Sequence, residues 1–186
     1  MRAALQKLDA YLRTGANDYL ASVVFGEPVH LREVDRASEV WGHPFAGDYV
    51  EFLTTHGTFH INDHEGVEYC RLMGPQECLE ARDWMASYVK DDAIMGPGDQ
   101  GLREARNEQA VRKDMFPFQC CEETDVKSYY CFFAGRVKDG QPLIYPVAHD
   151  DYRVSHYIYN QSADDIFAFN RHIDWLVGEI MANKFP

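Results

Sequence analysis

SYYCFFAGRV (128–137), followed by Asp139-Gly140 and then PLIYPVA (142–148), is the stretch on which the fold turns. In Tyr129-Tyr130-Cys131-Phe132-Phe133 both alternating sets of side chains are apolar, which predicts an inner strand covered on both faces. Asp139-Gly140 places two residues that tolerate positive φ between two strand-forming runs, a strong short-range hairpin signal. Upstream, Phe116 to Cys121 is a further run of strand formers, and Tyr152 to Tyr159 downstream is a candidate for another. Thr58–Ile61 and Val67–Leu72 read as two more strands around the turn residues Asn62, Asp63 and Gly66.

Helices alternate with these strands. Asp48 suits the first turn of a short helix from Gly47, Tyr49, Phe52 and Leu53 form its buried stripe, and Gly57 is placed to end it with a left-handed cap. Gly74-Pro75 opens a second helix, with proline at its first position and Cys78, Leu79, Met85, Ala86 and Val89 as its core face. Ser162 with Asp165 forms a loose capping box before Ile166, Phe169, Ile173, Leu176, Val177 and Ile180, the cleanest amphipathic pattern in the chain. Residues 1–37 are expected as a helical N-terminal extension: Ala3–Arg13 is a short helix, and after Gly26-Glu27-Pro28 the segment Leu31–Trp41 is a helix or an extended stretch. Lys90–Asp114, with Gly96-Pro97-Gly98, reads as a surface excursion holding a short helix from Leu102 to Arg112. The predicted order is that of a single α+β domain over residues 1–186 with a mostly antiparallel sheet.

Composition narrows the function. With 186 residues there is room for one core and not two. Eighteen basic residues against thirty acidic leave a net charge of −12, which argues against general binding to nucleic acid or to an anionic membrane, since both need clustered Lys and Arg. A negative field instead speeds encounter with a basic partner. The five cysteines are odd in number and lack C-x-x-C spacing, as in a protein of a reducing cytosol. No stretch reads as a signal peptide or a membrane span, so a soluble, cytoplasmic protein is expected.

Catalytic patterns are sparse. There is no G-x-S-x-G elbow, no Walker A and no G-x-G-x-x-G. Cys131 and His149 could meet across a hairpin, but an apolar strand would keep the thiol protonated and inert. His56, His60 and His64, with Asp63 nearby, would face one way on a continuous helix and could hold zinc. Gly57 interrupts that helix, so no metal or other cofactor is expected, and a small metal-dependent hydrolase is the least favoured of three readings.

FAGDYVEFLTTHG (45–57) resembles the signature of the SMI1/KNR4-like domains, the SUKH superfamily. The resemblance continues through Phe116-Pro117-Phe118, the acidic stretch Glu122–Asp125, the aromatic strand Tyr129–Phe133, Asp139-Gly140, Pro146 and the last helix, and spans about residues 38–181. Phe45-Ala46 stands where the family usually has Leu-Pro, His56 where Asn is usual, and Lys90–Asp114 is longer than the family's connection. The resemblance implies a non-enzymatic α+β domain with a curved antiparallel sheet packed by helices. Bacterial members are mostly cytosolic immunity proteins that bind and neutralise a cognate toxin, often a basic nucleic-acid-directed enzyme. Fungal members are regulators of cell-wall synthesis, which makes a regulatory or scaffold module the second reading. For an inhibitor, the partner-binding candidates are Glu122, Glu123 and Asp125 before the aromatic strand, and Asp150, Asp151 and Tyr152 after the hairpin, with Tyr157 and Tyr159 as further aromatics. Asp91-Asp92 is expected in a solvated loop, and Asp164-Asp165 in the first turn of the last helix.

Overall fold

The computed structural model describes residues 1–91, 111–123, 126–147 and 165–183. The aromatic stretch is strand β5 (Val126–Lys138), and it is an inner strand, held between β4 (Met115–Glu123) and β6 (Gln141–Val147). Six strands pair antiparallel in chain order, the others being β1 (Leu20–Phe25), β2 (Phe59–Asp63) and β3 (Glu68–Leu72). The helices are α1 (Arg2–Leu12), α2 (Leu31–Trp41), α3 (Gly47–His56), α4 (Pro75–Asp91) and α5 (Phe169–Met181), with a further helical turn at 111–114. The chain is a single α+β domain whose sheet is open. Asp139 and Gly140 both take positive φ, 52° and 77°, and join Lys138 to Gln141 as the hairpin chemistry requires.

Facing residues in a ladder project to the same side, so register sorts the sheet into two faces. On one, Phe132 stacks on Phe118 at 4.3 Å and meets Tyr49 of α3 at 5.0 Å, while Tyr130 lies against His172 of α5 at 4.7 Å. Tyr49, Phe52, Phe59, Phe116, Phe118, Phe132 and Phe169 are all fully buried there. Each contributes about 2–3 kcal/mol by burial, and each edge-to-face pair about 1 kcal/mol more. The other face carries α4, whose Trp84 lies 6.0 Å from Tyr129. Both faces of β5 are therefore covered, and Tyr129, Cys131, Phe132 and Phe133 are buried.

Three expectations are corrected. The N-terminal 37 residues are not a helical extension, because β1 lies within them and forms the edge of the sheet beside β2. A bulge between Leu20 and Ser22 breaks the alternation that would have marked the strand. Several N–H groups at this edge are occupied: Val23 donates to Asp9 Oδ1, and Leu20 and the preceding Tyr19 donate to Asn17 Oδ1, which blunts that part of the edge against pairing with another chain.

The last helix does not begin at the capping box. Ile166 instead bridges to Ile144, Asp165 pairs with Arg136 of β5, and α5 starts at Phe169 without a local side-chain cap. Asp48 supplies one from α3, its Oδ2 accepting from the Asn170 N–H at 2.9 Å. Gly57, finally, has φ 79° but ψ −160°, not the left-handed helical values. Glycine is needed because a Cβ there would lie 2.2 Å from the Glu27 carbonyl oxygen. Leu31–Trp41 is helical, capped by His30 Nδ1 accepting from Arg32 N–H and ended by left-handed Gly42. The expected strand at Tyr152–Tyr159 and most of the helix at Leu102–Arg112 lie outside the described residues.

Candidate functional site

Val24, His60, Arg71, Cys120, Tyr129 and Val147 face one another in turn across all six strands. They form one row on the α4 side of the sheet. Arg71 is its centre. The guanidinium Nε donates to Glu77 Oε1 on α4 at 2.6 Å, and Nη1 donates to Glu68 Oε1 on β3 at 2.6 Å. Glu122 Oε1 on β4 lies 3.5 Å from the same Nη1, and His60 Nδ1 lies 3.8 Å from Glu68 Oε2. Burial alone would lower the guanidinium pKa, but the Glu68 and Glu77 carboxylates outweigh it and raise the group above its ordinary range.

Local sequence explains the gathering. A bulge at Ile61/Asn62 places Tyr69 and Cys70 together opposite Ile61, so Glu68 returns to the side of Arg71. Glu77 lies in the first turn of α4, where its charge suits the dipole, and that turn begins just beyond the end of β3. Three carboxylates around one guanidinium leave a local charge of −2. Arg71 is 25% exposed and its partners 34–41%, so the carboxylates are anchored yet reach solvent. Val24 and Trp84 are exposed apolar side chains on the same face.

Of the residues expected to contact a partner, Glu122 belongs to this cluster. Glu123 is the last residue of β4 and pairs with Val126 across the ladder. Asp125, Asp150, Asp151 and Tyr152 lie outside the described residues, as do Tyr157, Tyr159 and Asp164. Asp165 is not in a helical first turn and serves Arg136 instead. Sequence reading missed Glu68, Arg71 and Glu77. The i, i+3 spacing of Glu68 and Arg71 conceals their shared face unless the bulge is known.

The three histidines part company. The His56 ring meets Phe52 edge-to-face at 5.4 Å, His60 joins the carboxylate cluster, and His64 Nε2 bonds the Asn17 carbonyl at 3.0 Å. Among the described residues no group of three or more His, Cys, Asp or Glu side chains is arranged to hold a metal ion. Cys131 is fully buried, and burial raises its thiol pKa well above the ordinary range. No described helix is long and apolar enough to cross a membrane. No protein-family model matches the chain, and no curated protein matches it.

Proposed function

We propose that this chain is an immunity protein that binds a basic toxin or effector enzyme in the cytoplasm and neutralises it by direct contact. The observation that carries this reading is the Arg71-centred cluster of Glu68, Glu77 and Glu122 on the sheet face. A surface that anchors carboxylates from two strands and a helix on one guanidinium presents negative charge at low entropic cost, which is what a lid over a cationic cleft requires. The net charge of −12 adds long-range steering toward the same kind of partner. Exposed Val24 and Trp84 beside the cluster offer apolar anchor area.

The test begins with capture of the partner on the tagged full-length protein. Recovery of a single basic enzyme in near-equal amount, inhibited by the protein, is the expected result. Against that enzyme, the triple variant Glu68→Gln, Glu77→Gln, Glu122→Gln is expected to associate about tenfold more slowly and with a flatter salt dependence. An unchanged association rate removes this face from the contact. Recovery of uninhibited partners alone sinks the immunity reading.

A further inference from the structure

The face of the sheet packed by α3 and α5 holds a second polar group, on the opposite side from the carboxylate cluster. Cys70 on β3 and Cys121 on β4 face each other across the antiparallel ladder. Their sulfur atoms are 2.8 Å apart, with the Cys121 thiol donating to Cys70 Sγ. Facing Cα atoms in such a ladder are about 4.5–5.5 Å apart, within the span that a disulfide bridges. The sulfurs need approach by less than about 1 Å to reach a bond of about 2.05 Å.

The remaining neighbours hold the two sulfurs in place. Gln119 is fully buried, and its Nε2 donates to Cys70 Sγ at 3.0 Å and lies 3.5 Å from Cys121 Sγ. Its Oε1 accepts from His172 Nε2 at 2.8 Å, and His172 is itself packed between Tyr130 and Trp175. An amide aimed at both sulfurs stabilises negative charge on either one as it forms. The two thiols differ in access: Cys121 is 7% exposed and Cys70 is not exposed at all. Neighbouring Cys120 projects to the opposite face, in the row of Arg71.

We infer that Cys70 and Cys121 form an oxidation site, a buried dithiol that closes to a cross-strand disulfide with hydrogen peroxide as the oxidant. The Cys121 thiolate attacks one peroxide oxygen, the O–O bond breaks, and the departing hydroxide takes a proton to leave as water. Cys70 sulfur then attacks the Cys121 sulfenic acid; the S–S bond forms, the S–O bond breaks, and the Cys70 proton leaves with the hydroxide as a second water. Two thiols lose two electrons and one peroxide gains them. Burial holds the Cys70 thiol protonated well above its ordinary range, which slows closure. The bond would tie β3 to β4 beneath Arg71 and Glu122, which sit one residue further along each strand on the other face.

The test treats the reduced full-length protein with hydrogen peroxide under native conditions, alkylates what remains, and maps the cross-linked peptides by fragmentation mass spectrometry. The expected result is loss of two of the five alkylatable thiols, a 70–121 cross-link, and reversal by a thiol reductant. The oxidised form is expected to melt roughly 5–10 °C higher, since a loop of about fifty residues is closed. Because Cys120 and Cys121 are adjacent, the variant Cys120→Ala keeps the cross-link and Cys121→Ala abolishes it. Should Cys121→Ala fail to fold, the persistence of the cross-link in Cys120→Ala decides the matter. A bond to Cys120, oxidation only after unfolding, or irreversible oxidation without a cross-link overturns the inference.

Discussion

His172 gives the sharpest test of the core. The ring is buried without exposure, Nε2 bonds Gln119 Oε1 at 2.8 Å, and Nδ1 has no hydrogen-bond partner. Phe118, Tyr130 and Trp175 surround it. A second proton on Nδ1 would put a charge in this apolar cage with nothing to accept it, and burial pushes the pKa down to about 3 from its ordinary 6.5. The unfolded chain takes up that proton as pH falls through about 6.5, while the folded chain does not, so unfolding gains protons and stability drops. The contribution is full above about pH 6.5 and drains away as pH falls toward about 3. Between pH 7 and pH 5 the loss from this one ring is about 2 kcal/mol, at 1.36 kcal/mol per pKa unit.

The variant His172→Phe keeps an aromatic of similar size and removes the titration. It leaves Gln119 Oε1 without its donor, which costs about 1–2 kcal/mol at every pH. Urea unfolding of both proteins at pH 7, 6 and 5 is the assay. The wild type is expected to start about 1–2 kcal/mol more stable and to lose about 2 kcal/mol more than the variant on acidification, so that the two converge near pH 5. All other groups are common to both proteins and cancel in the difference. Parallel curves would refute the reasoning, for they would mean that the buried ring is charged in the folded state or reaches solvent.

Two further outcomes probe how the elements are joined. Gly57→Ala is expected to cost at least about 2 kcal/mol in urea unfolding, because its Cβ would meet the Glu27 and Gly26 carbonyl oxygens at 2.2 and 2.7 Å as well as straining φ. Gly42→Ala, at φ 85° in open space, should cost only about 1 kcal/mol; equal losses would discard the close-approach argument. Asp165→Asn weakens the pair with Arg136, in which both side chains are about 15% exposed, and should cost about 2–3 kcal/mol, read as a lower melting temperature. A shift of less than one degree would mean that the Ile144–Ile166 bridge alone seats the chain before α5.

Local chemistry made much of the fold legible. The doubly apolar run at Tyr129–Phe133 is an inner strand because no polar side chain offers either face to water. Asp139-Gly140 is a tight hairpin because both residues accept positive φ, and Pro75 opens α4 because its missing N–H is not needed there. Strand β1 escaped because a bulge disrupts the alternation on which a strand is read, and a bulge is set by its partner strand. The start of α5 escaped for a related reason: its capping carboxylate is Asp48, 122 residues earlier in the chain.

The candidate site divides in the same way. By itself the sequence determined the acidic balance, the acidity near Glu122, the interruption of the histidine series at Gly57, and which strands and helices must be buried, since charge, backbone freedom and hydropathy are properties of residues and their near neighbours. Only the tertiary structure decided that Glu68, Glu77 and Glu122 converge on Arg71, that His56, His60 and His64 do not converge, and that Cys70 faces Cys121 rather than Cys120. Each of these depends on register, and register is a relation between strands: a shift of one residue sends every side chain to the other face, and no single strand carries the information that forbids it.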